Sequence, residues 1–378
     1  MTVACQTPEA AYIHVPFCAH KCGYCDFTVI AGKDHLADDF LRALSMELAT
    51  LESARRVRTL FVGGGTPTHL AADKLTELLS LLSRWFELED GGEFSVEANP
   101  SSLDRDKIAL LAEHGVNRVS LGVQSFDARV LKLLERDHDA AQVAVAVEAL
   151  ESAIPNFSCD LIFGVPGQTL ALWRETLARA VSLGPRHVST YGLTYEKGTA
   201  FWARRADGTL RPVSDEIERR MYAAAMDDLP AAGYEQYELS NFARPGYRCR
   251  HNEVYWAGCA YYGFGPGAAR YLDGRRETNH RSVLSWMRQV LARQSPVGEV
   301  DELPAVDRAR ETLVVMLRRT RGVGRDEFRA TTGFDFEEIA GPAIDKHCAL
   351  GLLERDLDGV RLTREGRFLA DSVIVDLV

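Results

Sequence analysis

The chain contains no apolar run near the roughly 18 residues that a membrane-spanning helix needs, so nothing in it reads as a transmembrane segment. It has no surplus of basic charge. With 44 Lys and Arg against 54 Asp and Glu, its formal net charge is −10 at pH 7, which excludes the basic face of a general nucleic-acid binder. The opening Met1-Thr-Val-Ala-Cys5 lacks the charged and apolar regions of a secretory signal. The eight cysteines are therefore expected as thiols in a reducing cytoplasm, not as a disulfide framework. Peripheral contact with a membrane surface stays open. There is no second C-x2-C or C-x2-H half to complete a zinc knuckle, and no low-complexity segment. The rest is ordinary: 46% hydrophobic and 26% charged residues, the make-up of a globular chain that can bury a large core.

Strand-like and helix-like patterns alternate through the first two-thirds. Apolar runs begin at Ala11, Thr59, Glu93, Arg118, Cys159 and His187. Helical spacing separates them, over Asp38 to Leu51, Ala72 to Trp85, Asp104 to His114, Gln142 to Leu150 and Leu170 to Leu183. Such alternation predicts parallel β/α units. Six units are too few for a closed eight-stranded barrel, so a partial (β/α)6 barrel of α/β class is expected, with its chemistry at the C-terminal strand ends. Residues 1–235 are read as this barrel. Residues 236–300 form a connecting region, loop-like and rich in Tyr, Gly and Asn from Tyr234 to Tyr271, with Gln294 to Pro304 as a linker. Residues 301–378 suggest a small winged-helix-like α+β domain: three helices, then a hairpin turning at Asp358-Gly359. That domain carries 12 basic and 16 acidic residues, a balance that favours structural or partner-docking use over DNA binding.

The most specific pattern is Cys18-Ala-His-Lys-Cys22-Gly-Tyr-Cys25, a C-x3-C-x2-C run. Iron–sulfur clusters are usually held by four thiolates. Three leave one iron open to the amino and carboxylate groups of a small molecule. The run follows the first strand. Gly63-Gly64-Gly65-Thr66-Pro67-Thr68 follows the second, where glycine admits a ligand close to the backbone and free N–H groups can bind it. Alone, a plain strand-to-helix turn explains that run equally well.

Taken together, these residues resemble the radical S-adenosylmethionine (SAM) superfamily. Tyr12-Ile-His-Val-Pro-Phe-Cys18, the glycine run, Gly122-Val-Gln-Ser-Phe126 and Asp160-Leu-Ile-Phe-Gly-Val-Pro-Gly167 are similar to the branch that contains oxygen-independent coproporphyrinogen III oxidase. Two features bring the chain nearer to the related HemW family of heme chaperones. The oxidase branch has a fourth cysteine two positions after the third, and here that position is Phe27. His251-Asn-Glu-Val-Tyr255-Trp256 resembles the HNxxYW signature of the chaperones.

The resemblance implies a 4Fe-4S cluster on Cys18, Cys22 and Cys25, with SAM on the open iron. It implies SAM contacts from Tyr12, Tyr24, Gly64, Gly65, Thr66 and Glu97, and from Gln124, Arg136 and Asp160, which match positions that meet a second SAM in the oxidase. Tyr12 and Tyr24 could equally be core aromatics, Glu97 a solvated strand-end carboxylate, and Arg136 with Asp160 a structural ion pair. It implies heme at His251, Tyr255 and Trp256, with His251 as axial ligand, and a heme-acceptor protein as partner. A hydrogen-bonded structural histidine is the competing reading. Gly263 to Gly267 reads as a supporting turn. Cys249 and Cys259 are further ligand candidates or free buried thiols, and Cys5, Cys159 and Cys348 take no role. The alternative function is a radical SAM oxidoreductase acting on a porphyrinogen, against which Phe27 argues.

Overall fold

The computed structural model describes residues 7–378; Cys5 lies outside the described residues. Six parallel strands cross the main sheet in chain order: β1 (Ala10–Val15), β2 (Arg55–Gly64), β3 (Phe86–Ala98), β4 (Arg118–Gln124), β5 (Phe157–Phe163) and β6 (His187–Gly192). Between and after them run α1 (Ala37–Leu48), α2 (Ala72–Trp85), α3 (Arg105–Glu113), α4 (Ala128–Leu133), α5 (Ala140–Ala153), α6 (Leu170–Ser182), α7 (Ala200–Ala206) and α8 (Asp215–Ala231). This is the partial (β/α)6 barrel expected from the alternation. Two short antiparallel strands, β7 (Glu235–Gln236) and β8 (Asn241–Ala243), extend it beyond β6. At the other edge β9 (Tyr262–Phe264) pairs in parallel with β1. The order is β9-β1-β2-β3-β4-β5-β6-β8-β7. Among the described residues no ladder joins β9 to β7, so the sheet stays open.

Local chemistry starts the helices. Asp104 accepts from Lys107 N at 2.8 Å before α3. Asp139 and Gln142 form a reciprocal cap on α5. Thr169 and Ser214 accept from the third residue of α6 and α8. Each such cap satisfies an N–H that the helix itself cannot. Helix α1 buries Phe40, Leu41, Leu44 and Leu48, the face its spacing predicts.

Glu47 lies on that buried face and is 2% exposed. Its carboxylate accepts from Gly265 N at 2.9 Å, Asn279 Nδ2 at 2.6 Å and Trp286 Nε1 at 3.1 Å. These bonds tie α1 to the Gly263–Gly267 turn. Gly265 has φ +97°, and a Cβ there would stand 2.5 Å from His14 O. The turn is thus pressed against the end of β1.

Three segments differ from the sequence expectation. The HNxxYW run lies on a short helix, α9 (Arg250–Trp256), in place of a loop. Its first N–H groups find a partner from another element: Glu93 accepts from Arg250 N at 3.0 Å and His251 N at 3.1 Å. The expected linker Gln294 to Pro304 contains a paired strand. After β10 (Ala269–Leu272), β11 (Arg275–Asn279) and α10 (Val283–Leu291), β12 (Val297–Asp301) pairs with β11. Its charges, with Pro296 just before it, suit an edge strand as well as a linker. In the C-terminal hairpin, Asp356 accepts from Asp358 N and Gly359 N at 2.9 Å each, which moves the turn one step earlier. Gly359 is already in a strand, where a Cβ would stand 2.3 Å from Val323 O.

The C-terminal domain is winged-helix-like. It comprises α11 (Ala305–Leu317), α12 (Arg325–Thr332) and α13 (Phe336–Ala349) with a small sheet. That sheet holds β13 (Val323–Gly324), β14 (Leu353–Arg355) and β15 (Gly359–Leu362), in the order β13-β15-β14. Leu313, Met316, Phe328, Phe336, Ile344 and Val373 form its own core. Two closing helices, α14 (Arg364–Phe368) and α15 (Ala370–Leu377), bring the chain back to the barrel. Arg219 bonds Glu365 at 2.9 Å, and Arg364 bonds Asp227 at 2.8 Å.

Glu47→Ala leaves Gly265 N and Trp286 Nε1 buried without an acceptor, each costing about 1–3 kcal/mol, while Asn279 Nδ2 keeps its bond to Gly265 O at 2.8 Å. The expected outcome is a loss of at least about 2 kcal/mol in unfolding free energy, seen as a lower urea midpoint; an unchanged midpoint would show that Glu47 does not pin the turn.

Candidate functional site

The cysteine loop is anchored at both ends. Phe17–Cys18 pairs in parallel with Ile30–Ala31, and Ile30 N bonds Pro16 O at 2.8 Å. Between the anchors, Cys25 N closes a turn on Cys22 O at 3.0 Å. Helix α7 seats on the loop, with Phe201 N bonding Gly23 O at 2.8 Å and Phe201 packing edge-on against Tyr24 at 6.0 Å. Cys18 Sγ lies 3.5 Å from Thr66 Oγ1. Cys22 Sγ lies 3.6 Å from Glu135 O and 3.9 Å from Arg136 Nη1.

All three thiols border one cavity. Among the described residues no three His, Cys, Asp or Glu side chains converge on a point where a single ion would sit. A cluster has the opposite requirement, because each thiolate takes its own iron. Burial pushes the Cys18 thiol up to about 11 and raises Cys25, so thiolates here need a cation on the sulfurs. The donor set therefore fits a 4Fe-4S cluster with one iron left for SAM. When bound, that pair supplies one-electron cleavage of the sulfonium.

The rest of the upper site comes from strand ends. Gly64 has φ +108°, and a Cβ there would stand 2.4 Å from the His14 ring. Its N–H donates to Glu97 Oε2 at 2.8 Å. Gly65 N and Thr66 N bond Val15 O and Phe17 O, each at 2.8 Å. These three N–H groups are committed within the protein, so the run offers a ligand close approach, not free donors. Burial, with the Asp160 charge adding to it against the Gly64 N–H, pushes the Glu97 carboxyl up to about 7. Gln124 ends β4 with φ +62°. Arg136 Nη2 bonds Gly122 O at 3.1 Å. Asp160 accepts from Ser120 at 2.8 Å and Ser189 at 2.7 Å. Among the described residues Arg136 and Asp160 make no ion pair with each other. All of these side chains border the same cavity, of about 1170 Å³.

That cavity continues down the barrel. Alternate residues of β4 face it, Arg118, Ser120, Gly122 and Gln124, and His187, Ser189 and Tyr191 of β6 border it as well. Cys249 and Asn252 border its lower part, and Arg318 and Arg367 of the C-terminal domain border one wall. His14 also borders it. Its Nε2 donates to Thr28 O at 2.7 Å, so Nδ1 accepts from Tyr12 OH at 3.0 Å. His14 and Arg118 share strand faces with Tyr12 and Gln124, so the two-residue period was their signal. Arg318 and Arg367 have no such signal; only the tertiary fold brings them in.

The HNxxYW residues occupy the opposite end. His251 is 1% exposed. Its Nδ1 lies 2.9 Å from Thr59 Oγ1 and its Nε2 2.8 Å from Tyr255 OH. Its ring stacks on Phe61 at 5.0 Å. Tyr255 and Trp256 line a separate crevice of about 310 Å³, with Tyr12, Cys259, Tyr261 and Tyr271. His251 borders neither cavity. Phe27 is 62% exposed at the rim of the larger one.

Burial, helped by the Arg118 charge, drives His251 down to about 3 from its usual 6.5. A histidine with a depressed folded value contributes stability above pH 6.5, and that contribution is lost as pH falls toward 3. The stability difference between wild type and His251→Gln is therefore expected to shrink by about 1.4 kcal/mol per pH unit below 6.5. Paired urea melts check this, and a constant difference would mean that His251 is not held neutral.

The Radical SAM superfamily model matches residues 12–180, and the HemN C-terminal domain model matches residues 303–369. Heme chaperone HemW of Bacillus subtilis is 35% identical over 97% of this chain and 98% of its own length. Heme chaperone HemW of Escherichia coli is 34% identical over 97% of each. Radical S-adenosyl methionine domain-containing protein 1, mitochondrial, of Danio rerio is 30% identical over 96% of this chain and 85% of its own. The solved coproporphyrinogen III oxidase HemN of Escherichia coli superposes with a TM-score of 0.86 at 24% identity, over 98% of this chain and 90% of that one, which is a likeness of fold. Among the described residues no helix is long and apolar enough to cross a membrane. By its end-to-end similarity to these relatives, the chain belongs to the HemW family of the radical SAM superfamily.

Proposed function

We propose that the chain is a heme chaperone that works in the cytoplasm. It binds heme, a 4Fe-4S cluster on Cys18, Cys22 and Cys25, and SAM, and it passes heme to an acceptor protein. The observation that carries this reading is the full-length similarity to proteins named heme chaperone HemW. Phe27 supports it, because the oxidase branch carries a cysteine at that position. The division at residues 235 and 300 enters as part of the same reading, with the last unit closing the cavity.

His251, Tyr255 and Trp256 are the proposed heme contacts. Burial keeps the His251 imidazole neutral, the form that ligates iron. Both its nitrogens are engaged in the arrangement described above, so ligation requires α9 to open and Tyr255 to release Nε2. The same packing supports a structural part for His251. A porphyrinogen oxidoreductase is the second reading. It is favoured by a cavity of about 1170 Å³ beside the cluster loop.

Heme titrated into the anaerobically reconstituted protein is expected to give a saturable, stoichiometric Soret shift without consumption of coproporphyrinogen III. His251→Ala is expected to keep the cluster and lose heme affinity. Retained affinity would assign His251 to the fold alone. SAM-dependent consumption of the porphyrinogen without heme binding would favour the oxidoreductase.

A further inference from the structure

The heme-chaperone reading leaves two cations without a task. Arg367, on α14, is half-buried and borders the barrel cavity. Its Nη1 donates to Gln236 Oε1 at 2.9 Å, a neutral acceptor. Its Nε is buried with no hydrogen-bond partner. Among the described residues no carboxylate lies within ion-pair distance of it. Arg318, just after α11, borders the same wall and also has a buried Nε without a partner. Glu238, buried and 3.4 Å from Arg318 Nη2, offsets part of its charge. Tyr222 lies close to both guanidinium groups, and its hydroxyl donates to Leu239 O at 2.6 Å.

A cation partly out of water and lacking a counter-ion is costly unless a ligand completes it. Guanidinium groups present several donors in a plane and match carboxylates. The surface beside them is apolar: Phe163, Tyr191, Phe368 and Leu369 border the same cavity. Phe163 stacks on Tyr222 at 6.0 Å, and Phe368 packs edge-on against Tyr222 at 5.6 Å. Glu218 and Asp371 also border this wall; burial raises the Glu218 carboxyl toward its neutral form. Flat apolar groups beside two cations complement a flat apolar ring that carries two carboxylates.

We propose that Arg318 and Arg367 form a clamp for the propionate carboxylates of a tetrapyrrole held in the barrel cavity. The proposal rests on the heme-chaperone reading and concerns the carboxylates, not the iron ligand. Arg318 also stacks over Trp256 at 4.6 Å. The clamp therefore touches the HNxxYW helix from the cavity side, and filling it would be felt at α9.

The test compares iron(III) protoporphyrin IX with its dimethyl ester by Soret titration of the anaerobically reconstituted full-length protein. The free acid is expected to bind about 10- to 100-fold tighter than the ester, the range for charge-assisted hydrogen bonds. Arg367→Gln and Arg318→Gln should each remove most of that preference without weakening the ester. Arg367→Lys, which keeps the charge, should retain part of it. Iron–sulfur absorbance and melting temperature report folding of each variant. Equal affinity of the wild type for acid and ester would overturn the proposal, as would a folded Arg367→Gln that keeps the full preference. Weaker SAM binding in the variants, with heme affinity unchanged, would also overturn it and give the arginines to the SAM carboxylate. If neither porphyrin binds, the heme reading falls and the clamp falls with it.

Discussion

Everything in this molecule depends on a sheet that does not close. Eight strands would form a barrel whose interior is filled by branched apolar side chains. Here six parallel strands with short extensions leave an interior of about 1170 Å³. Its wall carries Glu97, Arg118, Ser120, Asp160 and Ser189. Polar groups facing such a space must find partners or water. Asp160 does so through Ser120 and Ser189, and Glu97 through the Gly64 N–H. The wall is polar because it faces a cavity, and the cavity exists because the sheet is open.

An open sheet also needs closing pieces, and the chain supplies three. The cysteine loop covers the C-terminal strand ends, pinned by the Phe17–Cys18 ladder. Helix α9 packs against β2 through Thr59 and against β3 through Glu93, toward the opposite end. The C-terminal domain covers the side, docked through α14 onto α8. Tyr12 links the first two: its hydroxyl bonds His14 beside Gly64, and its ring lies 6.5 Å from His251. The two motifs that the sequence presents 226 residues apart, from Cys25 to His251, thus share one strand, β1, as their common support.

Much of this was legible in the sequence. Strand–helix alternation gave the six units, because each run is long enough to show its period. The cysteine spacing and the glycine run could be placed at strand ends, which puts them on one face. The same two-residue period marks His14 and Arg118, which share strand faces with Tyr12 and Gln124. Other features had no local signature. Helix α9 owes its start to Glu93, far away in sequence, so its seven residues read as loop. The strand β12 is fixed by its pairing with β11, and its composition suits a linker equally well. The glycine-run N–H groups looked free because their acceptors, Glu97, Val15 and Phe17, come from other segments. Arg318 and Arg367 reach the cavity only because the C-terminal domain docks onto the barrel.

The central claim is that the three-thiol loop opens onto the barrel cavity with one iron position left for SAM. The most direct measurement is the EPR spectrum of the reduced, reconstituted protein before and after SAM is added. The account predicts a signal that SAM shifts, and no cluster in Cys22→Ala. A spectrum indifferent to SAM, or full iron content in Cys22→Ala, would contradict it.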